Sequence, residues 1–428
     1  MSHALKTNPL DELDTLNHYC WMGRRDFVRN FTVLTINADS AGDETIFLAV
    51  QLTGTESLIV HHDPSPTALE TVRLRARQLG VADRIRLVGG PLLMFTASVL
   101  GNPAFSRQGD YGPFDYVRCT SGLNDQDDFE RGFSLLLQLL KANGVLGISC
   151  YGFYGREPYR QMQQIAESLN ADRPDWQEEV DRLKELFPFT PERNWTRLAF
   201  DNLAPGVRSM KDDAFAAEFL CKDRYGLTVP QLYELLDRYG LRLAQYSRQT
   251  RMLYEPWFAR SDQALSDLLE RLSARDREAV SEIAWSTIER HQFWAVRESS
   301  FRVDPGDTDN VPFFNPLMIA SKNWRKAFLD AGPGVLPELL AELTPSEKYN
   351  VSIPWGPIPF RMVELIDGYK TLGEIFMLIR EERHGTIGLE EIASACIRFL
   401  LAVEREDMIL LRHKTLSPLP FTARRLAG

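Results

Sequence analysis

The sequence has few cysteines and no closely spaced pair of them. Its five cysteines are scattered without a CxxC motif, so neither a disulfide framework nor a cysteine zinc site is expected. Of the seven histidines only His61 and His62 are adjacent. Neighbours on a strand point to opposite faces and make a poor metal pair. We therefore predict buried thiols and no metal.

Long hydrophobic runs are also missing. The longest, such as Val145–Cys150 and Phe399–Val403, fall far short of the roughly 20 residues that a membrane-spanning helix needs. The N-terminus lacks the charged-then-apolar pattern of a signal peptide. These absences predict a cytoplasmic protein without a membrane partner.

An excess of positive charge is missing as well. The formal net charge is -10, whereas a nucleic-acid surface needs clustered Lys and Arg to neutralise phosphates. We therefore predict no nucleic-acid partner. The local pair Arg24-Arg25 is interpreted either as a solvated surface pair or as a site for one small anion.

Short apolar runs and amphipathic stretches alternate from Phe31 to about Ile165. This pattern is typical of βα units that stack into a mostly parallel, doubly wound α/β sheet. In such sheets ligands bind beyond the carboxyl ends of the strands, near the point where the strand order reverses. The predicted strands are Phe31–Ile36, Ser57–His62, Ile85–Gly89, Phe114–Thr120 and Val145–Tyr151.

The remainder of the chain is predicted to be largely helical. We expect a helical insertion at about 166–230 within a first domain of residues 1–250, and a helical middle region with a linker at 251–345. Within it, Asp262–His291 has apolar residues at helix-packing spacing, which predicts a homodimer interface or packing inside one chain. Asp304–Pro316 is the predicted linker, because it is rich in Pro, Asp and Gly.

Residues 346–428 are predicted to form a small winged-helix-like domain. The segment MVELIDGYKTLGEIFMLIREE predicts two helices joined by a turn, followed by a third helix and the short strand MILLRH. Its helices are acidic and apolar where a DNA-recognition helix needs basic and amide side chains, which disfavours a transcription factor. A protein or peptide partner fits this module better.

Seven segments, taken together and in order, resemble class I S-adenosylmethionine-dependent methyltransferases. The resemblance covers Asn17 to about Tyr246 and implies a Rossmann-like methyltransferase sheet. The segments are NHYCWMGRRDF, TVLTINADSAGDETIFLAVQL, IVHHDPSPTALETVRLRARQLGV, IRLVGGPLLMF, FDYVRCTSGL, LLKANGVLGISCYGFYGR and YRQMQQI.

The resemblance implies a site for S-adenosylmethionine after the first two strands. The family's glycine-rich loop corresponds to the stretch from Thr35 to Asp43, in which one glycine remains. Asp63 matches the acidic residue that accepts hydrogen bonds from the ribose hydroxyls; its alternative role is a turn or helix-capping aspartate. The loop residues with an implied cofactor contact are Asn37, Asp39, Ser40, Gly42 and Asp43.

The third and fourth strands supply the rest of the implied site. Gly90 and Thr120 match cofactor-lining positions, but Pro91 stands where the family's adenine-binding aspartate is expected. The acceptor side is implied to hold Tyr19 with Arg24 near the N-terminus, and Tyr151, Tyr154 and Arg156 after the fifth strand. The three tyrosines are the candidates for catalysis.

Two arginines suggest the chemistry of the acceptor. If Arg24 and Arg156 face the pocket, their guanidinium groups favour an acceptor with a carboxylate or a phosphate. The sequence therefore predicts a methyltransferase acting on a small molecule or peptide. The alternative is an inactive pseudo-methyltransferase that serves as a binding or scaffold subunit, because its cofactor loop has lost glycines.

Overall fold

The protein is described by a computed structural model. It covers residues 8–36, 42–101, 114–120, 123, 129–172, 175–203, 210–220, 226–259, 262–298, 301–317, 324–334, 339–344, 347–351 and 353–426. No helix in this part of the chain has both the length and the apolar character needed to cross a membrane.

Seven strands form the central sheet in the order β3-β2-β1-β4-β5-β7-β6. The first five are parallel, and β7 runs antiparallel to both of its neighbours. The predicted doubly wound α/β sheet is confirmed. The strands are β1 (Thr32–Ile36), β2 (Leu58–His62), β3 (Ile85–Val88), β4 (Phe114–Cys119), β5 (Leu140–Tyr151), β6 (Arg242–Tyr246) and β7 (Arg290–Val296).

Helices cover both faces of the sheet, and a separate group forms the insertion. They begin with α1 (Leu13–Cys20), α2 (Asp43–Gln51), α3 (Pro66–Gln78), α4 (Leu92–Leu100) and α5 (Phe129–Gln138). The insertion contains α6 (Glu157–Leu169), α7 (Trp176–Leu186), α8 (Trp195–Leu203) and α9 (Asp212–Phe219), which enclose a small apolar core of their own. The sheet region is completed by α10 (Val229–Arg238), α11 (Gln263–Glu270) and α12 (Ala274–Trp285).

The sheet extends beyond the predicted domain boundary at residue 250. Strand β7 comes from the region that was predicted to be helical, and it pairs with β5 along its full length. The helical prediction for 262–291 is therefore wrong at its end, where α12 stops at Trp285. Trp294 of β7 is fully buried, so this strand belongs to the core of the protein.

The fifth strand begins earlier than predicted, at Leu140 instead of Val145. Phe114 pairs with Leu140, whereas Tyr116 pairs with Val145. The extra residues of β5 therefore bulge between these two pairs. Residues 140–144 therefore belong to the same strand as Val145–Tyr151.

The predicted linker contains a buried strand. Strand β8 (Asn310–Phe314) has all five residues buried and pairs antiparallel with β11 (Ile409–His413). The aspartates before it form turns, with the Asp307 N–H donating to the Asp304 carbonyl at 3.1 Å. The Pro, Asp and Gly signal thus marks turns in front of a strand, and the linker prediction for 304–316 is wrong.

The C-terminal part packs three helices against the β8–β11 ladder. A continuous apolar core fills the space between them. The remaining elements are α13 (Trp324–Ala331), β9 (Leu339–Thr344), β10 (Glu347–Val351), α14 (Pro357–Leu365), α15 (Leu372–Glu382), α16 (Leu389–Glu404) and α17 (Pro420–Leu426). Helix α15 begins with a capping box formed by Thr371 and Glu374, as the TLGE motif permits.

Candidate functional site

The strand order reverses between β1 and β4. From β1 the chain proceeds outward through β2 and β3, then returns to place β4 on the other side of β1. The carboxyl ends of these strands open a crevice at that point, which is the usual ligand position in open α/β sheets. The Thr120 N–H donates to the Ile36 carbonyl at 3.4 Å, so the ends of β1 and β4 are adjacent there.

Gly42 ends the loop that leaves β1. It has φ +68° and stands at the N-terminus of α2. A Cβ at this position would lie 2.3 Å from Cγ2 of the buried Val72. Asp43 follows and forms an ion pair of 2.5 Å with Arg75. Asn37, Asp39 and Ser40 lie outside the described residues.

Asp63 follows β2 and is 7% exposed. Its Oδ1 accepts a hydrogen bond of 2.7 Å from the Ser65 N–H, and Ser65 in turn caps α3. The turn role that was the alternative for this aspartate is therefore present. Only one carboxylate oxygen is used for it, and Oδ2 has no hydrogen-bond partner among the residues that the structure describes.

Gly90 and Thr120 line the same edge of the sheet. Gly90 has φ +99°, and a Cβ there would meet no atom within 4 Å. Its carbonyl accepts a hydrogen bond of 2.9 Å from Nε2 of His62. The Thr120 hydroxyl donates to a carboxylate oxygen of Glu44 in the first turn of α2. The structure thus brings Gly42, Asp43, Asp63, Gly90 and Thr120 to neighbouring strand ends.

Two histidine nitrogens beside Asp63, Nε2 of His61 and Nδ1 of His62, are buried and have no hydrogen-bond partner among the described residues. The other nitrogen of His61 lies 2.8 Å from the Thr45 hydroxyl and 3.0 Å from that of Thr35. Burial lowers the pKa of His61 to about 4, so its imidazole is neutral near pH 7. A neutral ring nitrogen without a partner can accept or donate one further hydrogen bond.

A fully buried arginine lies beneath this edge. Arg118 of β4 donates to Asp11 at 2.9 Å and to Glu44 at 3.2 Å, and it also contacts the Ser149 hydroxyl at 3.3 Å. Because Glu44 also binds Thr120, the network connects the N-terminal segment, α2 and the end of β4. Our sequence analysis missed it, although an arginine inside the apolar strand FDYVRCT is itself a signal, because Arg is rarely buried without a partner.

Burial raises the pKa of two acidic groups near the N-terminus. The pKa of Asp11 rises to about 7 because desolvation outweighs the opposing charge of Arg118. The pKa of Glu12 also rises to about 7, again through desolvation, with Arg248 at 3.7 Å opposing the shift. Both carboxyl groups therefore titrate close to neutral pH in the folded protein.

These shifts predict that stability falls as pH rises from about 5 to about 8. The folded state holds protons that the unfolded chain, with carboxyl pKa values of about 4, has already lost. The stabilisation is complete below pH 4 and disappears as pH passes through 7. Urea denaturation across this range should show the decline, and Asp11→Asn should flatten it. A free energy of unfolding that increases over the same range would contradict the prediction.

Tyr151 and Arg156 are brought together after β5, but by packing. The Arg156 guanidinium lies between the rings of Tyr151 and Tyr159, 4.3 and 3.8 Å from their centroids. It forms an ion pair of 2.7 Å with Glu218 and is 1% exposed. Its charge is therefore already neutralised inside the protein. Tyr154 is half-buried.

Tyr19 and Arg24 lie elsewhere. The hydroxyl of the fully buried Tyr19 is 2.7 Å from Oδ1 of Asp407 and 3.0 Å from Nη1 of Arg251. Burial raises the pKa of Tyr19 well above its ordinary value, which disfavours a phenolate. Arg24 is exposed and pairs with Asp307 at 3.2 Å. The structure therefore does not bring this pair to the strand ends with the other predicted residues.

A cavity of about 360 Å³ lies beside the loop after β5. Its apolar walls include Phe129, Phe153 and Leu227, and its charged groups are two arginines, Arg160 and Arg238, and two glutamates, Glu130 and Glu234. Its volume lies within the range of small-molecule pockets, about 300–1,000 Å³. Among the described residues no cluster of three or more His, Cys, Asp or Glu side chains is arranged to hold a metal ion.

Comparison with known proteins identifies structures with the same fold. PKMT2 from Rickettsia typhi in complex with AdoHcy has a TM-score of 0.61 at 14% identity, covering 95% of this chain and 75% of that one. A second structure of PKMT2 has a TM-score of 0.59 at 14% identity, covering 96% and 77%. No protein-family model matches the sequence.

An uncharacterized protein from a strain of Synechococcus is 25% identical over 256 residues. The match covers 60% of this chain and 58% of that protein, so this chain spans less than two thirds of its relative. Because the structural match extends over nearly the whole chain and includes the seven-stranded sheet, the fold of this protein is that of the Rossmann-like methyltransferases.

Proposed function

We propose that this chain is an S-adenosylmethionine-dependent methyltransferase acting on a small-molecule or peptide acceptor. The observation that carries the proposal is the crevice between β1 and β4, where Gly42, Asp63, Gly90 and Thr120 share one edge of the sheet. The fold it shares with PKMT2, which was solved with AdoHcy, supports the proposal.

The residues present fit the polar half of such a cofactor. Asp63 keeps Oδ2 for ribose hydroxyls while Oδ1 holds its own turn. His61 adds a buried nitrogen that lacks a partner. Gly90 leaves open space beside β3, although Pro91 offers no N–H and no carboxylate to an adenine ring. We infer that the base is held by shape and by backbone groups.

The cofactor, when bound, supplies a methyl group attached to a sulfonium sulfur. Transfer is an in-line displacement, so the main task of the protein is to align donor and acceptor. In this proposal Asp63 fixes the ribose, and Gly42 supplies the turn that starts α2. Thr120 is held in place by Glu44 at the end of β4.

We propose that the acceptor approaches from the β5 side of the crevice. The cavity beside Phe153 and Arg160 lies there, and Tyr151 and Tyr154 border the same loop. Arg156 is already paired with Glu218, so we assign it the role of holding this loop. Arg160 and Arg238 line the cavity, but each is paired as well, Arg160 with Glu157 at 2.7 Å and Arg238 with Glu130 at 2.6 Å, so the lining gives no preference for a negatively charged acceptor.

The middle and C-terminal regions support two secondary proposals. Leu268 and Ile283 on α11 and α12 are more than half exposed, which favours a homodimer interface over packing inside one chain. The winged-helix-like part after residue 345 is proposed to bind a protein or peptide partner. We retain the division at residues 250 and 345 as a proposal, with the addition that β7 belongs to the first unit.

Replacing Asp63 with asparagine should weaken binding of S-adenosylhomocysteine at least tenfold. Asparagine keeps an oxygen for the Ser65 N–H but loses the charge that strengthens hydrogen bonds from ribose hydroxyls, an effect of about 1.5–3 kcal/mol. Isothermal titration calorimetry of the two proteins measures the difference. The matched control is Ser65→Ala, which removes the hydroxyl that caps α3 but keeps the backbone N–H that donates to Asp63, and it should change the affinity less than threefold.

The same titration separates the enzyme from its inactive alternative. Micromolar binding by the unaltered protein that is lost in Asp63→Asn supports a working cofactor site. Absence of binding to a folded protein favours the pseudo-methyltransferase. Equal loss in Asp63→Asn and Ser65→Ala would assign Asp63 to the turn alone.

A further inference from the structure

A second cavity, larger than the one beside the loop after β5, lies at the β6 edge of the sheet. It has a volume of about 630 Å³ and opens between edge strand β6, the α11–α12 pair and the C-terminal helix α16. Its lining includes Tyr19, Arg251, Trp257, Glu278, Arg302 and Arg405. It is large enough for a ligand of metabolite size.

This cavity is separate from the proposed cofactor crevice. Between β1 and β6 lie β4, β5 and β7, which makes four strand spacings of about 4.8 Å, or roughly 19 Å in total. A ligand seated at β6 therefore lies away from a methyl group held between β1 and β4. Ligand binding at the β6 cavity does not require methyltransferase activity.

Of the four glutamates that line the cavity, Glu404 and Glu278 are held by partners within the protein, whereas Glu255 and Glu270 have no close ion pair among the described residues. Glu404 lies 2.9 Å from Nε2 of His18. Glu278 accepts hydrogen bonds from the hydroxyls of Tyr233 at 2.8 Å and Tyr246 at 2.9 Å. Burial raises the pKa of Glu278, which favours its neutral form.

The aromatic rings are also covered. The guanidinium groups of Arg251 and Arg302 each lie 5.3 Å from the centroid of Tyr19, and that of Arg405 lies 5.9 Å from Trp257. Ring faces hold cations at such distances. Because arginines already occupy these ring faces, an ammonium ligand cannot bind against them.

Two of these arginines have no close ion pair among the described residues. The nearest carboxylate of Arg302 is Glu404 at 4.0 Å, and that of Arg405 is Glu255 at 3.9 Å. By contrast, Arg251 is bound in bidentate fashion by Asp407 at 2.9 and 3.0 Å. Arg302 and Arg405 are therefore cations held in place by aromatic contacts while most of their N–H groups stay available.

We propose that this cavity binds an anionic ligand, one that presents a phosphate or carboxylate group to Arg302 and Arg405. Guanidinium groups recognise both anions through paired N–H donors. The site joins the sheet to the C-terminal part, since Arg405 follows directly after α16.

The test is calorimetric titration of the full chain with three small probes of one shape. Phenyl phosphate and benzoate carry the two anionic groups, and benzylamine carries the opposite charge. Arg302→Gln and Arg405→Gln should each weaken binding of the preferred anion about tenfold, as expected for loss of a charged hydrogen bond. Arg182→Gln removes an exposed arginine of the insertion and serves as the control, with less than a twofold change expected.

Each outcome decides the proposal. Tighter binding of phenyl phosphate than of benzoate assigns a phosphoryl ligand, and the reverse order assigns a carboxylate. Absence of binding for both anions up to about 10 mM, an affinity too weak for a built site, would overturn it. Preference for benzylamine, or equal binding by Arg302→Gln and the unaltered protein, would overturn it as well. Affinity for S-adenosylhomocysteine should be unchanged in all three variants.

Discussion

Replacing Arg118 with methionine should lower the free energy of unfolding by about 3–5 kcal/mol. The change preserves much of the side-chain volume but removes the charge that neutralises Asp11 and Glu44, both of which are buried. Two carboxylates without a cationic partner would then remain buried. Alternatively they would take up protons, which costs free energy at neutral pH. Urea denaturation at pH 7, followed by circular dichroism, measures the loss.

The partner variants test whether charge is the cause. Combining Arg118→Met with Asp11→Asn and Glu44→Gln removes the stranded carboxylates, so the triple variant should regain a large part of the lost stability. Buried ion networks can often be replaced by neutral groups at little cost, whereas removal of one partner is expensive. A triple variant less stable than the single one would show that shape, not charge, governs this position.

Replacing Gly42 with alanine should destabilise the protein by about 2–5 kcal/mol and abolish measurable binding of S-adenosylhomocysteine. The left-handed backbone costs an L-residue about 1–2 kcal/mol. The new methyl would also lie 2.3 Å from Val72 Cγ2, on a stiff β-branched side chain. Relief requires α3 to move away from the loop after β1, and overpacking of this kind costs about 1–3 kcal/mol more.

Gly80 provides a matched control for this prediction. It has the same φ of +68°, but no atom lies within 4 Å of its potential Cβ. Gly80→Ala should therefore show the backbone cost alone, about 1–2 kcal/mol, with unchanged ligand affinity. Thermal unfolding and calorimetry of the two variants separate strain from collision. Equal destabilisation of Gly42→Ala and Gly80→Ala would mean that Val72 and α3 move aside at no measurable cost in free energy.

The parallel part of the sheet could be predicted from the sequence because each strand is a short apolar run with turn residues beside it. The predicted bounds of the first four strands differ from the observed ones by no more than a residue at each end. Strands β7 and β8 were missed for a different reason. Each gains its conformation from a distant partner, β5 for the first and β11 for the second, and no local pattern specifies that pairing.

In the candidate site, too, some residues could be inferred from the local sequence and others depend on distant partners. Gly42 and Asp63 stand at strand ends, where a loop position can be inferred from neighbouring residues. The Arg118 network joins side chains 107 and 74 positions apart in the chain, so only the folded structure could reveal it. Tyr19 and Arg24 were expected near the acceptor, but the folded chain engages them with the C-terminal half, through Asp407 and Asp307.

The pairing of β8 with β11 also sets an order of events during synthesis. Strand β8 emerges from the ribosome roughly 100 residues before its partner, which corresponds to about 5–20 s at ordinary elongation rates. During that interval the apolar side chains of Val311, Phe313 and Phe314 have no ladder to join. The nascent chain therefore exposes an apolar, unpaired β8 segment until β11 has been synthesised. Codon usage after residue 314 should consequently affect the yield of this protein more than codon usage in its first 250 residues.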